Sequence, residues 1–305
     1  MSTYNRDQHD VTDCAMSVRD QLVSIHPYLG WVERDSESEF RVEDGWWLLD
    51  HLLDAPSEGL ASMVEARCAY EASRRDGQSL DQRTLRRAAI SILFQSWAWR
   101  AFGPIVARRF LADGQTFPSG PVWMKWTSEL SLEVGRLRAD EPGLGSDAHA
   151  EFRAETERRG PNATANIDQP IDRFVDLAAG WAHHLAPLSE AFRSFERLGP
   201  RQCPGNAASP LASMVRLLGA HGHIDLDEVP ELWRSLAIEV SLESYGSWSK
   251  VDVDGQLCPW FKRSTCCLMF TVAAGDMCGD CSRRSPMETA TVGRDWWSAQ
   301  NKNEN

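Results

Sequence analysis

The chain predicts an α+β fold that is predominantly helical, with a minor antiparallel sheet and a small C-terminal hairpin. Three observations carry this. Apolar residues recur at helical spacing through most of the first two-thirds. Alternating runs are confined to "SGPVWMKWTSELSLEVGRLR" and to the stretch after Gly246. Four of the eight cysteines crowd into Ser264–Cys281, beyond the last helical pattern.

Taken in order, "TDCAMSVRDQLVSI" has the apolar spacing of a helix and stops before "HPYLG". "DGWWLLDHLLD" and "SEGLASMVEARCAYEASRRDG" predict two more helices, the second ended by Gly77. Ser79 to Gln82 has the capping-box pattern and opens "RTLRRAAISILFQSWAWRAFG", which Pro104 should end or kink. Residues 136–168 are charged and short of apolar side chains, as expected of a long linker around one short helix. Ile171, Phe174, Val175, Ala178, Trp181, Leu185, Leu188, Phe192 and Phe195 then share a helical face. "NAASPLASMVRLLGAHG" and "DLDEVPELWRSLAIEVSLESYG" give two further helices. "SWSKVDVDGQL" alternates, with a turn expected at Asp254–Gly255. No internal repeat is present. The boundaries implied are a helix-rich domain over 1–246, a cysteine-bearing segment over 247–285 and a tail over 286–305 whose end, "SAQNKNEN", is expected to be disordered.

Composition narrows the function. A formal net charge of −12 argues against nucleic acid or an anionic membrane surface as the main partner. No apolar run reaches the ~18–20 residues of a membrane span, and the polar start carries no signal-peptide core, so a cytoplasmic setting is expected. Thiols stay reduced there, which favours metal binding or redox chemistry over structural disulfides. Thirteen tryptophans are high; core filling accounts for most, while Trp97, Trp99, Trp296 and Trp297 are candidates to line a pocket.

The cysteines run Cys266-Cys267, ten residues, Cys278, two residues, Cys281. "LMFTV" before "AAGD" reads as a strand and a turn, which would fold the second pair back beside the first. Four soft donors suit zinc, a single iron or an iron–sulfur cluster. Structural zinc sites pair two spaced C-x2–4-C knuckles. Adjacent cysteines lack that spacer, and in extended backbone their side chains point apart. That suits a two-iron cluster, whose attachment points are separated. "CGDC" also has the dithiol C-x-x-C form but lacks a βαβ setting. A vicinal disulfide at Cys266–Cys267 would be strained.

The run "RSTCCLMFTVAAGDMCGDC" resembles the C-terminal segment of the FhuF-like ferric-siderophore reductases, matching the four cysteines, Arg263, Leu268 and Gly279. "GNAASPL" from Gly205 is similar to that family's helix start G-N-x-A-S-x-L. Met269 and Phe270 depart from the aromatic, basic pair common there. The resemblance implies a [2Fe–2S] cluster on Cys266, Cys267, Cys278 and Cys281. It implies one-electron reduction of a ferric siderophore, bound in a cleft beside the cluster, with release of iron. Lys262, Arg263, Arg283 and Arg284 surround the cysteines as candidates for substrate contact or potential tuning. Arg263→Ala is expected to lower the potential and leave cluster content unchanged.

Other motifs are weaker. Cys258 reads as a buried thiol rather than a spare ligand, and Cys14, Cys68 and Cys203 are isolated. His221, His223, His183 and His184 lack metal partners at set spacing. "GLGSDA" from Gly143 matches G-x-G-x-x-A but follows no strand. Without a nucleotide motif, the electron should come from an external donor such as a ferredoxin or a flavoprotein reductase. The competing readings are a zinc-stabilised binding protein without redox activity and a siderophore-synthetase relative; the latter should need an ATP site, and no phosphate-binding signature is present.

Overall fold

The structure is a computed structural model. It describes residues 32–34, 36–39, 41–44, 46–53, 58–73, 80–111, 122–126, 132–137, 175–272 and 277–303. The helix expected over Thr12–Ile25, Cys14, and nearly all of the expected linker lie outside them.

The described chain is helix-rich with two small sheets. Strands β1 (Val32–Arg34), β2 (Trp46–Leu48), β3 (Val122–Trp126) and β4 (Leu132–Leu137) form one sheet in the order β1-β4-β3-β2. β3 pairs antiparallel with both neighbours, while β1 joins β4 in parallel, so this sheet is mixed. The segment expected to be wholly helical over Asp44–Asp54 is divided between β2 and helix α1 (Leu49–Leu53).

Helices α2 (Glu58–Ser73) and α3 (Gln82–Leu111) follow. The cap of α3 is Asp81, whose Oδ1 accepts from the Thr84 amide at 3.0 Å; Ser79 of the expected box lies outside the described residues. Pro104 does not end α3. It removes one backbone donor, but Phe102, Ile105 and Val106 around it are all buried, and that packing carries the helix to Leu111.

Beyond the linker come α4 (Val175–Gly180), a π-turn (Trp181–Leu185), α5 (Ala186–Phe195), α6 (Gln202–Ala220) and α7 (Val229–Glu239). α3 and α6 pack most extensively and are the spine of the core. Trp97 belongs to that core and Trp99 packs half-buried against it.

The expected hairpin forms from β5 (Gly246–Val253) and β6 (Gln256–Arg263), paired from Gly246–Arg263 to Val253–Gln256. Asp254 and Gly255 turn with φ of 53° and 88°, as a two-residue turn between right-twisted strands requires. Phe261 packs at 5.0 Å from Trp233 of α7 and 5.4 Å from Trp248, which fixes the hairpin on the helices.

Two sequence expectations fail after the hairpin. "LMFTV" is not a strand: Met269–Val272 is a short helix, α8, whose Val272 is buried against Ala88 and Ile92 of α3. The tail is not disordered through its polar end: Pro286–Asn303 forms helix α9. Ser285 and Glu288 cap it reciprocally, at 3.3 and 2.7 Å. Trp297 anchors it by burying its ring and donating to the Pro259 carbonyl at 3.1 Å.

Candidate metal centre

β6 ends at Arg263, and the next four residues deliver the vicinal cysteines to a place walled by α3 and α6. The wall is polar and fully bonded. Ser91 Oγ donates to the Cys267 carbonyl at 2.8 Å, and Gln202 Nε2 donates to the Cys266 carbonyl at 2.8 Å. Asn206 Nδ2 donates to Ser91 Oγ at 2.7 Å and to the Ser91 carbonyl at 2.9 Å. Ser91 and Asn206 are wholly buried, so each bond is made where water cannot replace it. Gly205 is required by the same contact: a Cβ there would stand 1.7 Å from Thr265 Oγ1. Immediately after the pair, Leu268 takes φ 64°, a left-handed conformation costly for a branched side chain. It turns the chain into α8 and points its amide at Cys266 Sγ, 3.3 Å away.

The second pair is fixed by charge. Arg263 Nη2 donates to Asp280 Oδ1 at 2.7 Å and to Ser209 Oγ at 2.8 Å, and the Arg263 amide donates to the Asp280 carbonyl at 3.0 Å. Gln95 and Asn206 oxygens accept from Nη1 at 3.3 and 3.4 Å. Asp280 thus ties the "CGDC" loop to the end of β6. Burial works against both charges, but the pairing prevails: Arg263 is held above the ordinary guanidinium range and Asp280 below the ordinary carboxylate range.

The four cysteines are free thiols, and the vicinal disulfide is not formed. Cys267 Sγ and Cys278 Sγ lie 3.5 Å apart, close to the ~3.8 Å between two thiolates on one tetrahedral ion with bonds near 2.3 Å. A hydrogen bond from the Cys278 thiol, with Arg263 nearby, pushes Cys267 down to about 6 and Cys278 upward. Burial raises Cys266, which also feels Cys281 electrostatically. The Arg283 amide approaches Cys281 Sγ at 3.5 Å. Among the described residues no three His, Cys, Asp or Glu side chains gather as for one metal ion. The sulfurs stand as one close pair and two flankers, with Cys267 and Cys281 buried and Cys266 and Cys278 half-exposed.

Two buried guanidiniums, Arg263 and Arg216, face the single buried carboxylate of Asp280. Arg263 acts on Cys266, Cys267 and Cys278 in the direction that favours thiolate, so the site suits an occupant bound by anionic sulfur. A cluster held by thiolates is anionic and needs two separated points of attachment, so the residues present fit it.

Residues 263–283 match the model described as the FhuF 2Fe-2S C-terminal domain. All four cysteines fall inside that span, and the match supports a [2Fe–2S] cluster as the cofactor of this segment. No curated protein and no solved structure matches the chain.

The structure brings Lys262, Arg263, Arg283 and Arg284 to the FhuF-type segment in different roles. Lys262 Nζ donates to the Arg284 carbonyl at 2.6 Å. Arg284 donates to the Cys278 carbonyl at 3.0 Å and to the Met277 carbonyl. Arg283 lies over the Phe270 ring at 4.2 Å. Arg263 is only 1% exposed, with both terminal nitrogens engaged, so it does not face an incoming substrate. The expectation that Arg263→Ala leaves cluster content unchanged does not suit this burial, because the change would strand Asp280. Cys258 is buried in the hairpin among Val251 and Val253, and Cys203 is buried in the core. His221 and His223 stack at 6.5 Å at the far end of α6. His183's side chain lies outside those described, and His184 is half-buried on the π-turn.

Sequence reasoning missed Ser91, Gln95, Gln202, Asp280 and Arg216. Asp280 stood inside the cysteine motif, and Asn206 and Ser209 stood inside "GNAASPL", so part of the signal was present. The resemblance of that stretch has a physical basis in its contacts with the cysteine loop.

Proposed function

We propose that this protein is a cytoplasmic oxidoreductase that reduces ferric siderophores by one electron, through a [2Fe–2S] cluster on Cys266, Cys267, Cys278 and Cys281. The observation that carries the reading is the four-cysteine constellation inside the matched [2Fe–2S] segment, with one sulfur pair already at 3.5 Å. In this reading Cys267 and Cys278 would share one iron, and Cys266 and Cys281 the other. When bound, the cluster supplies single electrons. Hard hydroxamate and catecholate oxygens hold Fe(III) far better than Fe(II), so one electron loosens the complex.

The chain's own residues would divide the remaining work. Ser91, Gln202 and Asn206 hold the vicinal pair by its carbonyls, so the sulfurs are placed before loading. Asp280 and Arg284 hold the second pair. Cys267 and Cys281 face the protein and exclude water, while half-exposed Cys266 and Cys278 leave one edge open. That edge is where a ferric complex and an external one-electron donor, a ferredoxin or a flavoprotein reductase, would come close. The cavity of ≈ 1080 Å³ is not that place. It lies at the Gly255 turn and the C-terminus of α6, lined by Asp225, Asp227 and Glu228. Eight-residue strands separate that turn from Arg263, a span of ~25 Å.

The test is anaerobic purification, iron and acid-labile sulfide analysis, and EPR of the reduced protein, followed by mixing with a panel of ferric siderophores. Two irons and two sulfides per chain, with reoxidation by at least one ferric siderophore, are expected. Colourless protein holding zinc would replace this reading with the binding-protein alternative. A cluster that no ferric chelate reoxidises would remove the siderophore.

A further inference from the structure

Arg216 of α6 is 8% exposed, and its guanidinium carbon lies 4.0 Å from the Trp260 ring centroid and 4.2 Å from that of Trp296. The two indoles, from β6 and α9, are 5.9 Å apart and tilted. Arg216 Nε has no hydrogen-bond partner. This is a desolvated cation stacked on ring faces, with the Asp280 carboxylate acting on it electrostatically.

The sandwich stands directly behind the second cysteine pair. A Cβ on Gly279, inside "CGDC", would lie 3.5 Å from Trp260 Cζ2, so the indole is packed on that loop. Gly293 of α9 lies flat on the other side of the same indole, where a Cβ would be 3.0 Å from Cδ2. Asp280 and Arg216 also act on each other electrostatically.

How each arginine is held decides what field it exerts. Arg263 is ion-paired with Asp280 at 2.7 Å, which offsets part of the field it exerts on Cys266, Cys267 and Cys278. Indole faces attract a cation without neutralising it. Arg216 therefore adds a second positive charge behind the loop, in a low-dielectric interior where charges act more strongly than in water. Adding an electron makes an anionic cluster more negative, and a fixed nearby cation favours that step.

We propose that Arg216, clamped between Trp260 and Trp296, is a second charge that raises the reduction potential of the cluster, beside Arg263, which also positions the loop. This rests on the [2Fe–2S] reading above and deepens it. Arg216 touches neither cysteine nor substrate; it is a tuning residue acting through its field.

The experiment is a mediated redox titration of the anaerobic, cluster-loaded full chain, read by EPR and visible absorption. Arg216→Gln should shift the midpoint negative, so that at a fixed ambient potential the oxidised-to-reduced ratio rises about tenfold. Iron and sulfide content should stay at the wild-type level. Arg216→Lys should restore most of the shift. Trp296→Glu, on the half-buried side of the sandwich, would give Arg216 a carboxylate partner and should move the midpoint the same way as Arg216→Gln. Arg294→Gln removes a cation of α9 that caps the Asp252 carbonyl at 3.2 Å, and should leave the midpoint in place. A fully loaded Arg216→Gln protein with the wild-type midpoint overturns the proposal. If that variant does not fold, an unmoved midpoint in Trp296→Glu overturns it equally. Loss of the cluster in both overturns it too, since a tuning charge is dispensable for loading. A wild-type chain that binds no cluster overturns this inference and the proposed function together, whereas an unmoved midpoint spares the latter.

Discussion

The two ends of the β5–β6 hairpin are built on opposite principles. At the Arg263 end, a group of buried and half-buried polar side chains from distant elements holds the strand end: Ser91 and Gln95 from α3, Asn206 and Ser209 from α6, Asp280 from the cysteine loop. At the Asp254–Gly255 end, the polar groups face solvent and bond locally, as in the Gly255 amide donating to Asp252 Oδ1 at 2.9 Å. Lys250 and Asp227 pair at 2.6 Å with both side chains exposed. Both ends carry charged residues in sequence, and the Asp254–Gly255 end borders a cavity. Only one has its charges removed from water, and it is the one with the cysteines. Desolvated networks specify a single geometry because a half-satisfied one is costly; exposed pairs hold little in place.

The sharpest way to break this contrast is Arg263→Ala. It leaves the Asp280 carboxylate buried without its partner, a loss of about 3–5 kcal/mol. Thermal denaturation should show a large fall in Tm, and iron per chain after reconstitution should drop well below wild type. Retention of a full cluster would show that the pair does not position the loop. Replacing both partners together, as Arg263→Met with Asp280→Leu, should recover only part of the stability, because Asp280 is no longer stranded but buried Arg216 loses its counter-charge. Gly205→Ala comes next. The added methyl meets Thr265, whose own Cβ would be 2.7 Å away and cannot swing aside as a long side chain would. The expected cost is about 1–3 kcal/mol, with cluster content reduced and the α3–α6 core intact by far-UV circular dichroism.

The same contrast explains what was legible in the sequence. The Asp254–Gly255 turn was readable because a positive-φ pair at two adjacent positions has a local signature, and the alternating strands around it are local too. The four cysteines were readable because their spacing is itself the chemistry. Their supports were not: Ser91 is 176 residues from Cys267, and nothing about a serine inside "AAISILF" announces a carbonyl across the core. The strand assigned to "LMFTV" failed because a left-handed Leu268, dictated by the loop's tertiary setting, turned the chain into a helix. Pro104 failed to end α3 because burial on both sides outweighed one missing donor. The parallel β1–β4 pairing joins segments about a hundred residues apart, beyond the reach of any local pattern.

Ser91→Ala sharpens the comparison without touching charge. Ser91 Oγ donates to Cys267 and accepts from Gln202 and Asn206, so its removal takes one acceptor from each amide and leaves a buried carbonyl unanswered. The expected loss is about 1–3 kcal/mol. The cluster should still load, since Gln202 continues to hold Cys266, but should be lost to a chelator faster than from wild type. A chelation rate equal to wild type would show that the bond to the Cys267 carbonyl is idle.

Gly255→Ala tests the other end and should have the smallest effect. At φ 88° an alanine is strained, while nothing lies within 4 Å of the added carbon, so the whole penalty is conformational. It should cost about 1 kcal/mol, read as a modest decrease in Tm. The turn lies eight residue pairs along the ladder from Arg263, and the cysteine loop is anchored by α3 and α6 independently of it. Iron content, the EPR signal and the chelation rate should therefore equal wild type. If loosening the turn also loosens the cluster, the two ends are mechanically coupled through the strands, and the division between a desolvated end and a solvated one loses its functional meaning.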